Sequence, residues 1–299
     1  MNEPVLVLNH LTKRYGAHRG IEDLSLVVQP GEIFGFIGPN GAGKSTTIRT
    51  MMGLLHPTSG SASVFGKDCS KQAKEIARDV GYLPGENGTY EGLTVREMLR
   101  FTAELYGMDS EERIVLLADR LSLDLHRKIG ELSLGNKKKV GLVCALLPSP
   151  KFLVLDEPTS GLDPLMQKTL YEILLEEKQK GTTVFLSSHI LSEAQRLCDR
   201  VGILRDGRLI DIKSMEDLRE NGYKKITLTA RNDIPKDFFL IPGVADLNQN
   251  GNTASFLFRG NTMTIMEHLH QLALEDILIE RPSLEEIFLH YYEQEVKSC

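Results

Sequence analysis

The segment Gly38-Pro39-Asn40-Gly41-Ala42-Gly43-Lys44-Ser45-Thr46 narrows the possible folds more than any other feature of the chain. It fits G-x-x-x-x-G-K-[ST], follows the apolar run EIFGFI and opens the helical stretch TTIRTMMGLL, so it predicts a strand, a tight loop and a helix in succession. Glycines let backbone N–H groups curl around phosphate oxygens, and the N-terminus of the following helix adds positive potential. Lys44 then reaches the β- and γ-phosphates of a nucleotide, and the Ser45 hydroxyl serves as a ligand to Mg²⁺.

The surrounding sequence agrees with such a unit. Short apolar runs alternate with helical patterns over the first two-thirds: VLVL (5–8), EIFGFIG (32–38), DVGYLP (79–84), KFLVLDEP (151–158), TTVFLSSH (182–189) and VGILRDGRLI (201–210). This is the sequence form of a mostly parallel sheet covered by helices. Asp206-Gly207 between apolar runs predicts a tight hairpin. Between Glu86 and Leu147 the pattern turns helical. Thr94-x-x-Glu97 reads as a capping box, and a second helix is expected from Glu111 to Leu123. Beyond Asn221-Gly222 the texture changes to strands ITLTA and ASFLFRG, a helix TIMEHLHQLAL, a strand DILIE and a helix SLEEIFLHYYEQ capped by Ser283 and Glu286. Two domains are expected, 1–216 and 217–299, with a helical subdomain at about 87–147 in the first.

A second chemical signal is Asp156-Glu157 at the end of FLVL. A buried parallel strand delivers two carboxylates at its C-terminal end, where ligands bind in open α/β sheets. Asp156 is expected to hold Mg²⁺, and Glu157 to polarise the water that attacks the γ-phosphate. Alone, such a pair is commonly a solvated loop charge; the glycine-rich loop gives it meaning.

Composition excludes several alternatives. The longest nearly unbroken apolar stretch, Val140 to Leu147, falls far short of the roughly 20 residues of a membrane-spanning helix. The N-terminus MNEPVLVLNH lacks a secretory pattern, so a cytoplasmic location is expected. Cys69, Cys144, Cys198 and Cys299 are scattered, without metal-ligand spacing, and read as reduced thiols. Of the formal charge of -6, residues 215–299 carry 8 basic and 14 acidic side chains, which disfavours nucleic acid as a partner of the tail.

Together these motifs resemble the ATP-binding cassette (ABC) ATPase family over roughly residues 5–212. Gly38–Thr46 looks like its Walker A loop, FLVLDEP (152–158) its Walker B strand, Ser160-Gly161-Leu162-Asp163 its D-loop and Ser187-Ser188-His189 its switch histidine. Leu132-Ser133-Leu134-Gly135-Asn136 stands at the place of the signature LSGGQ. Read alone, that last segment is also compatible with a simple capped helix start. The resemblance implies an α/β P-loop NTPase fold with a mostly parallel sheet, N-terminal antiparallel strands, a helical subdomain and a small C-terminal α+β domain. It also implies ATP and Mg²⁺ as ligands, Glu157 and His189 as catalytic residues, and adenine stacking on Tyr15. Ser133, Gly135 and Asp163 would act on ATP held by a second copy or a homologous subunit. Tyr15 also reads as a turn tyrosine packed on the core, and a lone histidine is commonly structural.

Two departures from the family stand out. Tyr82-Leu83-Pro84-Gly85-Glu86 lacks the family glutamine at Gly85, and Glu86 is the expected substitute as a metal contact. Leu134 and Asn136 replace a glycine and a glutamine of the signature. The run Lys137-Lys138-Lys139 reads as a solvated helix face. Whole-chain resemblance is to ATPase subunits of ABC-2-type exporters. It implies a separately encoded permease, contacted by the segment from Gly85 to Val95, and attachment at the inner face of the cell membrane. The alternative is a soluble ABC ATPase acting on a macromolecular complex; it is disfavoured by a single P-loop and the absence of a sustained heptad run.

Overall fold

The computed structural model describes residues 3–283, 286 and 287, apart from 17, 86–89, 109–110 and 220–221. Two compact units emerge, residues 1–214 and 215–299.

The centre of the first unit is a six-stranded sheet of β3 (Ile33–Ile37), β6 (Val80–Leu83), β7 (Phe152–Asp156), β8 (Thr183–Ser188), β9 (Arg200–Arg205) and β10 (Arg208–Ser214), in the order β10-β9-β3-β8-β7-β6. All neighbours run parallel except the β9–β10 hairpin. Every residue of β3, β7 and β8 is buried, as strands covered on both faces require, which explains the apolar stretches IFGFI, FLVL and VFL. The hairpin turns on Asp206 and Gly207 with φ of 47° and 76°, the double positive φ that an Asp-Gly pair tolerates. Register sets Ile37 opposite Ser188 and Asp156 opposite Ser187, so β3, β7 and β8 end at one edge of the sheet.

A second, antiparallel sheet is built from β1 (Leu6–Tyr15), β2 (His18–Val28), β4 (Ser59–Val64) and β5 (Lys67–Asp68), in the order β2-β1-β4-β5. Its Leu6, Leu8, Leu11, Ile21 and Leu24 join Phe34, Phe36, Phe152 and Phe185 of the parallel sheet in one core. Phe185 stacks on Phe34 at 5.8 Å between ring centres and tilts against Phe36 at 5.3 Å. Each buried phenylalanine contributes about 2–3 kcal/mol, whereas an exposed ion pair such as Lys151–Asp79 is worth less than about 1 kcal/mol. Apolar burial therefore holds the sheets together.

Helices α1 (Lys44–Met51), α2 (Ala73–Ile76), α6 (Pro164–Gln179) and α7 (Leu191–Leu197) accompany the strands, while α3 (Val95–Leu105), α4 (Glu111–Arg120) and α5 (Leu134–Leu146) form the helical part. The capping box is present: Glu97 N–H donates to Thr94 Oγ1 at 3.3 Å, and Thr94 N–H donates to Glu97 Oε2 at 2.7 Å. Those hydrogen bonds hold the Glu97 carboxyl below its usual range. Helix α4 stops before the expected Leu123. Ser122 takes φ of 52°, its N–H donates to Asp119 O, and Leu123 N–H returns to Ala118 O. This is a Schellman ending, with serine in the place that glycine usually takes.

The second unit begins with α8 (Met215–Arg219). Its antiparallel sheet comprises β11 (Tyr223–Ala230), β12 (Val244–Asn250), β13 (Thr253–Arg259) and β14 (Leu274–Glu280), ordered β12-β13-β11-β14. Helix α9 (Thr262–Leu269) adds Ile265 and Leu269 to a core of Ile226, Leu228, Phe256 and Phe258. Ser283 and Glu286 exchange reciprocal capping hydrogen bonds of 2.9 Å and 3.2 Å. Most of the helix expected after them lies outside the described residues. Among the described residues, no helix is long and apolar enough to cross a membrane.

Candidate active site

The glycine-rich loop leaves the end of β3 and becomes α1. Gly41 and Gly43 have φ of 80° and 105°. A Cβ on Gly43 would meet Ile21 Cγ2 at 2.7 Å and Gly20 O at 2.8 Å, so no other residue fits there. Helix α1 opens with no side-chain cap and no acid in its first turn, leaving its positive end for an anion. Lys44 is almost fully buried, and its Nζ donates to Gly38 O at 2.8 Å and Pro39 O at 3.1 Å.

The same Nζ lies 3.4 Å from Glu157 Oε1, and His189 Nδ1 lies 3.3 Å from that oxygen. Lys44 from the start of α1 and His189 from just beyond β8 therefore meet at the carboxylate of Glu157, just beyond β7. Glu157 holds a φ of 48°, uncommon for a residue with a side chain, and its N–H donates to both the carbonyl and the hydroxyl of Ser187. Asp156, 1% exposed, accepts from Ser187 Oγ at 2.5 Å through Oδ1, while its buried Oδ2 has no hydrogen-bond partner among the described residues. An orphaned carboxylate oxygen of this kind is unfavourable unless a cation or donor completes it. Ser45 follows Lys44 directly in the loop. One carboxylate and one hydroxyl suit a Mg²⁺ that arrives with phosphates rather than one caged by protein alone.

Tyr15 flanks the loop. A Cβ on Gly20 would stand 2.9 Å from Tyr15 Cε2 and 3.2 Å from Thr46 Cγ2, which places ring and loop beside the same glycine. The ring is partly exposed and carries Lys13 Nζ 5.5 Å from its centre.

The signature segment is built differently. Ser133 caps α5, its Oγ accepting from Asn136 N–H at 3.3 Å, while Leu134 is 75% exposed. Gly135 packs against the D-loop, where an added Cβ would fall 2.4 Å from Gly161 O. Asp163 caps α6 by accepting from Leu165 and Met166 N–H, both at 3.0 Å. Among the described residues, neither Ser133 nor Asp163 shares a hydrogen bond with the Lys44, Glu157 and His189 group. Glu86 lies outside the described residues. At Gly85, a Cβ would stand 3.0 Å from Asp156 Oδ2.

Two residues to which the sequence assigns no role in the site belong to this neighbourhood. Lys138, read as solvated, is 4% exposed, and its Nζ donates to Pro84 O, Gly85 O and Asp156 O at 3.4, 3.3 and 3.0 Å. Burial pushes its ammonium below the usual lysine range, against the pull of Asp156 and Glu157. Helical phase carried the signal: Lys138 stands four and seven positions before the buried Leu142 and Ala145. The buried Glu193 accepts from Thr159 Oγ1 and, at 2.6 Å, from Ser188 Oγ, joining the segment before the D-loop to the end of β8.

Comparison with known proteins identifies the family. The ABC transporter family model matches residues 21–160. The bacitracin transport ATP-binding protein BcrA of Bacillus licheniformis is 40% identical over 223 residues, 74% of this chain and 73% of its own length. The uncharacterized ABC transporter ATP-binding protein YhcH of Bacillus subtilis is 33% identical over 95% of both chains, so that likeness extends through the second unit. A solved ATP-binding subunit of an ABC transporter, 38% identical, superposes with a TM-score of 0.68 over 73% of this chain and 92% of its own. The chain belongs to the ABC transporter family, as an ATP-binding and ATP-hydrolysing subunit that powers membrane transport.

Proposed function

We propose that this subunit works as one half of an ATP-clamped dimer, docked on a separately encoded permease at the inner face of the membrane, and that it drives export. The convergence of Lys44 and His189 on Glu157 Oε1 carries the hydrolytic part of the reading. Glu157 orients water toward the γ-phosphorus and takes its proton as the new P–O bond forms and the bridging bond to ADP breaks. His189 holds the γ-phosphate side of Glu157, and Lys44 spans the β- and γ-phosphates. Backbone N–H groups of Gly38 to Thr46 cradle the phosphates, and the adenine stacks on Tyr15. Ser45 and Asp156 hold Mg²⁺, with Glu86 as a further contact; the ion supplies neutralisation of phosphate charge.

Ser133 and Gly135 complete the site of the opposing subunit, and Asp163 adjoins it. The exposure of Leu134 beside the cap at Ser133 supports an outward-facing role for this helix start. A γ-phosphate gripped between a P-loop and another chain's helix N-terminus holds the dimer until hydrolysis releases it. Export and an ABC-2-type permease are supported by GYLPGE, LSLGNKKKVG and the C-terminal unit. The test searches the adjacent reading frames for a polytopic membrane protein, co-expresses it with this chain and purifies through a tag on it. The chain should co-purify and hydrolyse ATP faster than when alone. A chain left in the soluble fraction, with an unchanged rate, would break the permease reading.

A further inference from the structure

A buried ammonium costs several kcal/mol of desolvation, so a lysine is kept in such a place only where its acceptors repay it. The three acceptors of Lys138 are backbone carbonyls from two neighbouring strand ends. Pro84 and Gly85 follow β6, and Asp156 ends β7. Pairing of those strands ends at Leu83 opposite Leu155, so the lysine begins where the ladder stops. The side chain itself belongs to α5, the helix capped by Ser133. One ammonium thus fastens three parts: the start of the signature helix, the backbone at 84–85, and the strand end that bears Asp156 and Glu157. Gly85 contributes a carbonyl and has little room for more beside Asp156 Oδ2.

Resting on the ATPase reading above, we infer that Lys138 is a positioning residue for hydrolysis: it locks the signature helix and the 84–85 backbone to the catalytic carboxylates, so that these parts move together. It does not touch the nucleotide cradle, whose lysine is bonded to Gly38 and Pro39. Its loss should therefore appear in turnover rather than in affinity.

The test uses full-length Lys138→Met and Lys138→Arg chains, with Glu157→Gln as reference, in steady-state ATPase assays and in equilibrium binding of a fluorescent ATP analogue with Mg²⁺. Lys138→Met should lower kcat by about 10-fold or more while KM and analogue affinity stay within about 2-fold. Lys138→Arg, which keeps both charge and donors, should bring kcat back to within about 3-fold of the parent. A Lys138→Met chain with parental kcat overturns the inference. So does a fall in kcat and affinity together that Lys138→Arg leaves unrepaired, or a chain that does not fold, since the lysine would then serve only the core. A parental rate from Glu157→Gln would instead overturn the reading of the site itself.

Discussion

Two glycine-bearing helix starts face different tasks in the first unit. At α1 the loop is fixed by the sheet: Gly43 has no room for a side chain, and the strand ends bring Glu157 and His189 to Lys44. At α5 the glycine packs on Gly161, the serine hydroxyl is spent on its own helix, and Leu134 points to solvent. The first site is assembled inside one chain by parallel strands in register. The second presents a capped helix start outward, and its proposed work needs another subunit. Hydrolytic chemistry and its proposed control thus reside in distinct elements, which Lys138 joins.

The largest effect should come from Lys44→Ala, because no other side chain of the loop supplies its charge: nucleotide affinity should fall by about 100-fold or more in equilibrium titration. An unchanged affinity would remove α1 as the cradle. At the other helix start, Gly135→Ala sets a methyl against Gly161 O. Turnover should fall about 10-fold while nucleotide affinity in the single chain stays within about 2-fold; equal losses of both would erase the separation drawn here.

Thiols of the first unit offer a milder probe. Cys198 lies behind β3, where a Cβ on Gly35 would meet its Sγ at 2.7 Å, and Cys144 lies within α5 beside Thr102. Burial pushes both thiols up, and it pushes Cys69 up to about 12. A thiol kept protonated in the fold contributes its full stability below the ordinary value of 9.0 and loses it as pH climbs toward the folded value. Urea melts should therefore show stability falling above pH 9.0, by at most about 1.4 kcal/mol per pH unit for each thiol. Alkylation of Cys69 and Cys198 in the native chain at neutral pH should be slow; rapid alkylation there would contradict their burial. Smallest of all, Leu134→Ala should change stability by less than about 0.5 kcal/mol in thermal melts, as befits an exposed side chain. A larger loss would mean that Leu134 is packed within its own chain.

The sequence disclosed the first helix start more fully than the second. A glycine motif between a buried strand and a helix leaves few conformations, and continuous apolar runs announced β3, β7 and β8. Lys138 was missed because three adjacent lysines read as a polar face unless helical phase is counted from the apolar residues after them. The end of α4 was misplaced because Ser122 adopts a positive φ that its residue type does not announce. Strand β12 was missed for another reason. It is an edge strand with little burial and an irregular register between Ala245 and Asn248, so VADLNQN shows no alternation to read.

A Glu157→Gln chain incubated with ATP and Mg²⁺, with bound nucleotide, phosphate release and molecular mass followed on one sample, tests the central claim most directly. The account predicts retained ATP, phosphate release below about one-hundredth of the parental rate, and a mass twice that of the single chain. Phosphate release at the parental rate from a chain that stays monomeric would contradict it.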